Sequence, residues 1–544
     1  MDISMTQALL IALITGFCYA GQLLGIYTNR ALVMSFFVGV VLNDIPTAIT
    51  IGAIAELAYM GFGVGAGGTV PPNPVGPGIV GTIMAITLKD QGVTPESALA
   101  LSFPFAVLFQ LVTTALYSLF AGTTNNARNL IKKGNFKQFN LLANLTFVSF
   151  FVTGCAIGFF ASVSRPALQA FVEALPEWLI TGFSVSGGLI PAIGFAMILS
   201  VMLDKKLMSY ALLGYICAAY LELPTMAIAL VGTFFALITF YANQDKDSIN
   251  KTKTKMIKNH TMTYLILRRR IFLMESKQNR LTQKDYMKTA LRSYLLQNGF
   301  NYNVYQGTGY LYSILPALKK IYADDPEKLK ETAGANIEFY NVNPHMAPFV
   351  TSMQLAMYDH GEEIEDARSI KMALMGPLSG IGDSLAQFGI APLFSTIFAG
   401  LALDGLGFAP MGFWVSMLVS MFVIKMFSGY LGFKLGTSII DTLSEQISKI
   451  SAAANIVGVT VIAGLSTTFV KANIPIQYTS IMADDTEQII SLQEILDKIL
   501  PKLLPVVLTI IVFYLIKKRN WSTYRLLILL FAIGILGSLL GILG

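Results

Sequence analysis

Within the run Val38–Phe62, otherwise strongly apolar, stand Asn43-Asp44 and, twelve residues after Asp44, Glu56. An ionisable group at membrane depth costs at least a few kcal/mol, so it pairs or faces a polar cavity. Twelve residues make about 3.3 helical turns, which puts the two acids on different faces. A break near Pro46 is therefore needed to bring them together. A carboxylate in this setting suits a solute with many hydroxyls. The plainer alternative leaves Asp44 at a loop end at the interface and Glu56 bonded to another helix.

Gly61–Gly81 contains Gly63, Gly65, Gly67-Gly68 and Pro71-Pro72-Asn73-Pro74. No continuous helix passes through such a stretch, and irregular backbone at membrane depth is tolerated only beside protein or a wet cavity. A re-entrant segment is expected there, with Asn73 offering a donor and an acceptor; an extracellular turn is the alternative. Gly376-Pro377-Leu378-Ser379-Gly380-Ile381-Gly382-Asp383-Ser384 resembles a phosphate cradle but lacks the Lys-Ser/Thr of a P-loop and a preceding strand, so a tight re-entrant turn is expected instead. Tyr340-Asn341-Val342-Asn343-Pro344-His345 places two amides before a proline, where they either bind or simply turn the chain. Gln306, among Tyr302, Tyr305 and Tyr310, is either a polar contact beside a stacking surface or part of a helical core.

The elements that must hold these residues are membrane helices. Of 544 residues, 54% are hydrophobic and 13% charged, against about a quarter charged in soluble domains. Ala31–Asn43, Phe103–Gly122, Phe147–Phe160 and Leu503–Ile516 contribute to several helices crossing ~30 Å of hydrocarbon. The apolar N-terminus lacks a basic leader and a cleavage site, so it is expected to stay in the membrane. Short polar joints, Asn125–Gln138 and Asp204–Lys206, break the first block. Inside that block Leu13-Ile14-Thr15-Gly16-Phe17 recurs as Leu179-Ile180-Thr181-Gly182-Phe183, and Asp44-Ile45-Pro46-Thr47 is echoed by Glu222-Leu223-Pro224-Thr225. An internal repeat, inverted as in many transporters, would pair two halves around a midplane site.

Between Lys246 and Lys288 twelve Lys/Arg face three acids, which reads as a cytoplasmic basic loop. No aromatic or groove-reading motif accompanies it, so nucleic acid is not an expected partner. Met274-Glu275-Ser276-Lys277 resembles the start of a second protein. From Leu281 to Lys371 the pattern is amphipathic, with Tyr312, Leu315, Leu318 and Ile321 on one helical face. A second apolar block runs from Ala373 to about Val470, interrupted by Thr437–Lys449. A soluble hairpin-like stretch, Asn473–Lys498, precedes two last spans, about 499–516 and 522–543. Lys517-Lys518-Arg519 places their turn in the cytoplasm; the alternative is that the first of them only skims the interface. Cys18, Cys155 and Cys217 stand singly and His260, His345 and His360 are scattered, so neither a disulfide frame nor a metal site is expected.

Taken in order, Leu42-Asn43-Asp44, Gly52-x-x-x-Glu56, Pro71-Pro72-Asn73, then Leu281-Thr282-Gln283-Lys284-Asp285, Gln306, Asn341-x-x-Pro344, Gly376-Pro377-Leu378-x-Gly380-x-Gly382-Asp383 and Gly541-Ile542-Leu543-Gly544 resemble the IIC and IID membrane subunits of the mannose–fructose–sorbose class of the bacterial phosphotransferase system, joined in one chain. The resemblance implies an all-α polytopic membrane protein. It divides into a IIC-like unit over 1–250 with re-entrant segments, a basic linker over 251–274, and a IID-like unit over 275–544. The IID-like unit comprises cytoplasmic or interfacial helices (275–371), membrane-embedded hairpins (372–472) and a C-terminal region with two spans (473–544).

It further implies a sugar channel in the bacterial cytoplasmic membrane, assembled with lipid as a homotrimer, and soluble IIA and IIB proteins that bring the phosphoryl group. The chain is then a permease component and not a catalyst by itself, no cofactor is expected, and no histidine of this chain is nominated as phosphocarrier. The sugar-binding residues carried over are Glu56 and Asn73, with Gln22, Asp44, Gln306, Asn341 and Asp383. Pro71-Pro72-Asn73 resembles the N-acetylgalactosamine-type branch, and an Asn can donate to an acetamido carbonyl where a carboxylate cannot. An amino sugar is thereby slightly favoured over mannose. The competing readings are an ion-coupled carrier using Asp44 or Glu56, and a membrane scaffold or receptor docking partners through 281–371.

Overall fold

The computed structural model describes residues 2–60, 72–242, 280–435, 440–481 and 487–544. Much of the glycine-rich segment, including Gly63, Gly65, Gly67-Gly68 and Pro71, and the basic linker with His260 lie outside the described residues. The N-terminal part comprises α1 (Met5–Leu24), α2 (Ala31–Leu42), α3 (Ile45–Tyr59), α4 (Gly76–Thr87), α5 (Pro95–Leu101), α6 (Phe103–Leu119), α7 (Thr123–Lys132), α8 (Phe136–Leu142), α9 (Leu145–Val163), α10 (Arg165–Glu173), α11 (Glu177–Leu189), α12 (Pro191–Met202), α13 (Met208–Ala219) and α14 (Thr225–Ala242). The C-terminal part comprises α15 (Gln283–Arg292), α16 (Gly307–Ile321), α17 (Pro326–Ala335), α18 (Ala347–Asp359), α19 (Ile364–Gly382), α20 (Ala391–Leu403), α21 (Ala409–Leu435) and α22 (Ile440–Phe469). An antiparallel hairpin, β1 (Gln477–Ile481) with β2 (Glu487–Ser491), and α23 (Leu492–Ile499), α24 (Leu503–Arg519) and α25 (Thr523–Leu539) follow. Among the described residues seven helices are long and apolar enough to cross a membrane, or up to eight if the pair α23–α24, bent by 73°, counts as one. The last two helices, 17 residues each, are shorter than the ~20 residues a perpendicular span needs.

Two faces of the bundle are defined by polar contacts at helix ends. On one, Asp2 pairs with Arg165, Asp44 with Lys89, and Gln91 donates to Glu173. Gln7, near the start of α1, donates to the Val41 carbonyl just before Asp44. On the other, Lys517 donates to the Ser200 carbonyl at the end of α12. There too Asn298 donates to Asn144 at the start of α9, docking the helices of 281–359. Helices α1 and α11–α12 both start on the Asp44 face and run to the opposite one. An inverted repeat would run the segments Leu13–Phe17 and Leu179–Phe183 in opposite directions; they run the same way.

Large apolar side chains such as Leu111, Val152, Phe160, Leu230, Phe234, Val419 and Val423 are exposed, which is the surface a hydrocarbon solvent demands. The buried cores do not follow chain order. One combines Ile49, Leu57 and Phe195 with Ala399, Phe413 and Val459, and another puts Leu189 and Ile193 against Val512, Leu526 and Leu530. The helical domain around Leu311, Leu318 and Phe349 takes in Ala127, Ile131 and Phe139 from the polar joint after α6. That joint is mostly helical and is held by Arg128, which donates to the Ile337 carbonyl at 2.9 Å.

Two local expectations are corrected. Pro46 does not break a helix: it sits in the first turn of α3, where a missing N–H costs nothing, and Asp44 caps that helix by accepting from Thr47 N at 3.1 Å and Thr47 Oγ1 at 2.8 Å. Asp44 and Glu56 thus remain roughly 18 Å apart along one straight helix. The stretch Gly376–Ser384 is not a tight turn either. Helix α19 runs through Pro377 into a wide π-helical stretch, Asp383–Ile390, and on into α20, the wider pitch accommodating what a regular α-helix would break.

Candidate functional site

Glu56 lies on the fourth turn of α3 with 1% of its side chain exposed. Its partner is Arg30, which begins α2: Arg30 Nε donates to Glu56 Oε1 at 2.8 Å, and Arg30 Nη2 forms an ion pair with the same oxygen. Ser395 of α20 completes the cluster, donating to Glu56 Oε1 at 2.7 Å and accepting from Arg30 Nη2 at 2.9 Å. The Phe413 ring lies 5.9 Å from the guanidinium carbon. A buried carboxylate is tolerable only when paired, and here the pairing crosses from the first half of the chain to the second.

The link between α1 and α2 aims these groups. Gly25 and Tyr27 both take left-handed backbone, φ 63° and φ 58°, a conformation costly for tyrosine and kept where the surroundings over-determine it. The link is pinned by Thr28 Oγ1 donating to the Cys18 carbonyl and by Trp414 Nε1 donating to the Ile26 carbonyl at 2.8 Å. Tyr27 is thereby buried with its hydroxyl 3.1 Å from His345 Nε2. Burial first, and the nearby Lys425 second, hold the His345 imidazole well below its ordinary pKa. His345 N donates to Asn343 Oδ1 at 3.0 Å, and Asn343 Nδ2 donates to Asp383 Oδ1 at 2.8 Å. Gly382 gives Asn343 room: a Cβ there would overlap its side chain. Lys425 donates to the Pro344 carbonyl at 3.1 Å.

Of the residues nominated from sequence, Glu56 sits in the cross-unit cluster and Asp383 in the His345–Asn343 network. The structure brings no two of the seven into direct hydrogen bonding among the described residues. Asn73 is buried; its Oδ1 accepts from Val75 N at 3.0 Å and its Nδ2 donates one of its two hydrogens to Thr113 Oγ1 at 3.3 Å. Gln22 donates to the Tyr19 carbonyl, and Asp44 is the α3 cap. Gln306 braces a loop, exchanging two hydrogen bonds with the Val342 backbone. Asn341, on that loop, is exposed. Sequence reasoning missed Arg30, Tyr27, Ser395 and His345 as site residues, and left Asn343 between binding and turning the chain. Arg30 did carry a signal, being the one charged residue between Asp2 and Asp44; Ser395 carried none.

Residues 5–238 match the family model described as the PTS system sorbose-specific IIC component, and residues 280–543 match that of the PTS system mannose/fructose/sorbose family IID component. The first half is 31% identical over 218 residues to N-acetylgalactosamine permease IIC component 1 of Escherichia coli (strain K12), covering 40% of this chain and 80% of that protein. The second half is 30% identical over 275 residues to the PTS system mannose-specific EIID component of the same organism, covering 49% of this chain and 96% of that protein. It is also 31% identical over 277 residues to the PTS system sorbose-specific EIID component of Klebsiella pneumoniae, covering 49% of this chain and 99% of that protein. With a IIC unit and a IID unit meeting through Glu56, Arg30 and Ser395, the chain belongs to the mannose/fructose/sorbose family of phosphotransferase-system sugar permeases, multi-pass proteins of the bacterial membrane.

Proposed function

We propose that this permease moves a monosaccharide whose uptake is coupled to phosphorylation by IIA and IIB partners, and that the sugar is gripped at the Glu56–Arg30–Ser395 cluster. The observation that carries this reading is one buried carboxylate held jointly by the IIC and IID units. Any relative movement of the units changes its hydrogen bonding, which is what a carrier needs in order to bind and release. A sugar hydroxyl replacing Ser395 would donate to Glu56, and Arg30 would donate to a ring or hydroxyl oxygen. On the IID side the candidates are Asp383 with its partner Asn343, and the exposed Asn341, while Gln22, Asp44, Gln306 and Asn73 each hold backbone close to themselves. The remaining Asn73 hydrogen is a candidate donor to the sugar.

The substrate we favour is an amino sugar such as N-acetylgalactosamine, with mannose second; the likeness of the IIC half to an N-acetylgalactosamine permease supports that order. The functional unit is a homotrimer, with the Lys517–Arg519 face in the cytoplasm by the excess of basic residues.

Vesicles holding the purified chain test this. They are expected to accumulate phosphorylated N-acetylgalactosamine or mannose only when IIA, IIB and phosphoenolpyruvate-driven phosphorylation are supplied. Uptake of the free sugar driven by a proton or Na⁺ gradient alone would refute it and favour an ion-coupled carrier.

A further inference from the structure

A second polar feature lies at the boundary of the two units, outside the Glu56 cluster. Glu96, at the start of α5, and Lys471, just after α22, form an ion pair at 2.5 Å. Both are fastened to the middle of a membrane helix. Lys471 N donates to the Gly188 carbonyl at 2.9 Å, and a Cβ on Gly187 would overlap the Glu96 backbone. Gly188 is the twelfth residue of the 26-residue span Glu177–Met202. The charge pair therefore sits near mid-depth of that span, where unsolvated charge is expensive and marks a polar cavity. Such a cavity is present, about 320 Å³ in volume, lined by Thr50, Leu403, Thr468 and Phe469 together with Glu96 and Lys471. More than half of the Lys471 side chain is exposed, 57%, and it lines this space.

Along α3 the cavity is lined by Thr50, Ile54 and Leu57. Thr50 is roughly 9 Å and Leu57 roughly 20 Å from Asp44 along the helix, so the cavity runs from the Asp44 side to the depth of Glu56, itself roughly 18 Å in. The volume is at the small end of ligand pockets, suited to a single sugar ring. Its lining offers a carboxylate and an ammonium, two threonine hydroxyls, and one aromatic ring for the apolar face of a pyranose.

We propose that this cavity is a vestibule that reaches from the Asp44 side to the depth of Glu56 and holds a monosaccharide beside the Glu56 cluster, with Glu96 and Lys471 as its polar grips. The proposal deepens the permease reading and rests on it. Its chemistry is hydrogen bonding alone: Glu96 accepts from hydroxyls, Lys471 donates to them, and the pair closes on itself when the sugar leaves.

The test uses the full chain in sealed vesicles with the Asp44 face outward and with Cys18, Cys155 and Cys217 replaced by alanine. Thr468→Cys is exposed to a membrane-impermeant methanethiosulfonate from outside. The cysteine is expected to react, and whichever of mannose or N-acetylgalactosamine these vesicles phosphorylate is expected to slow the reaction about fivefold or more at saturation. A cysteine that does not react overturns the vestibule, and so does one whose reaction ignores a sugar the same vesicles phosphorylate. If no sugar is phosphorylated, the permease reading falls by itself, and the reaction of Thr468→Cys in its absence still decides whether the cavity is wet. As a second measure, Glu96→Gln and Lys471→Met are each expected to raise KM about tenfold with little change in kcat, the mark of a binding step outside the chemistry. Unchanged KM in both variants contradicts the proposal.

Discussion

The five residues Leu-Ile-Thr-Gly-Phe occur twice, and the two copies do the same local job with different partners. In α1, Gly16 is a notch: a Cβ there would meet the Phe151 carbonyl oxygen at 2.8 Å and overlap Cys155, so α9 crosses in contact with the backbone. In α11, Gly182 is also a notch, where a Cβ would meet Ile535 Cα at 3.0 Å, but the crossing helix is α25, from the other end of the chain. The accompanying acids diverge further. Asp44 caps α3, and twelve residues on stands Glu56, buried and paired across the units. Glu222 takes left-handed backbone, φ 49°, and twelve residues on stands Phe234, 61% exposed on the apolar surface. One segment carries a buried, paired carboxylate; the other packs against the C-terminal unit.

The largest expected effect tests that division. Glu56→Ala should cut phosphorylation-coupled sugar uptake by about a hundredfold or more, as loss of a buried charged grip does, while Phe234→Ala stays within about twofold. Equal losses in the two would erase the contrast. Next is Arg30→Met, which leaves Glu56 buried without its counter-charge and should cost about 3–5 kcal/mol in thermal or denaturant unfolding of the solubilised protein. Arg30→Met combined with Glu56→Gln should recover part of that loss; no recovery would mean Arg30 acts elsewhere.

The two glycines follow. Gly16→Val should destabilise by about 2–3 kcal/mol and Gly182→Val by about 1–2 kcal/mol. After cleavage at a protease site engineered into the 251–274 segment, Gly182→Val should weaken co-purification of the two pieces more than Gly16→Val does. The reverse order would contradict the assignment of partners. Smallest is the cap, where Asp44→Ala should cost about 1 kcal/mol and Glu222→Ala a few tenths, compared by melting temperature.

How much was legible follows from the range of each signal. Apolar blocks, the amphipathic face of α16 and the change of character near 281 are local patterns, and the helices stand where those patterns put them. The need of Glu56 for a partner was legible too, from the cost of its burial. Which partner was not, because Ser395 lies 339 residues away along the chain. Amides misled for a related reason: Gln306 and Asn73 have the donors and acceptors a sugar needs, but the nearby backbone at Val342 and Val75 needs them as well. Gly376–Asp383 was read as a turn because glycine and proline disfavour a helix in isolation, and the packing of Gly382 on Asn343 overrides that preference.

The wide coil at Asp383–Ile390 separates two grips carried by one continuous rod, Asp383 on the Asn343 side and Ser395 on Glu56. A π-helical stretch contains slack that an α-helix of the same length lacks. Tightening it would swivel one grip about the rod axis while the other kept its hold. The rod thus carries a built-in place where the Asn343 contact can turn independently of the Glu56 contact.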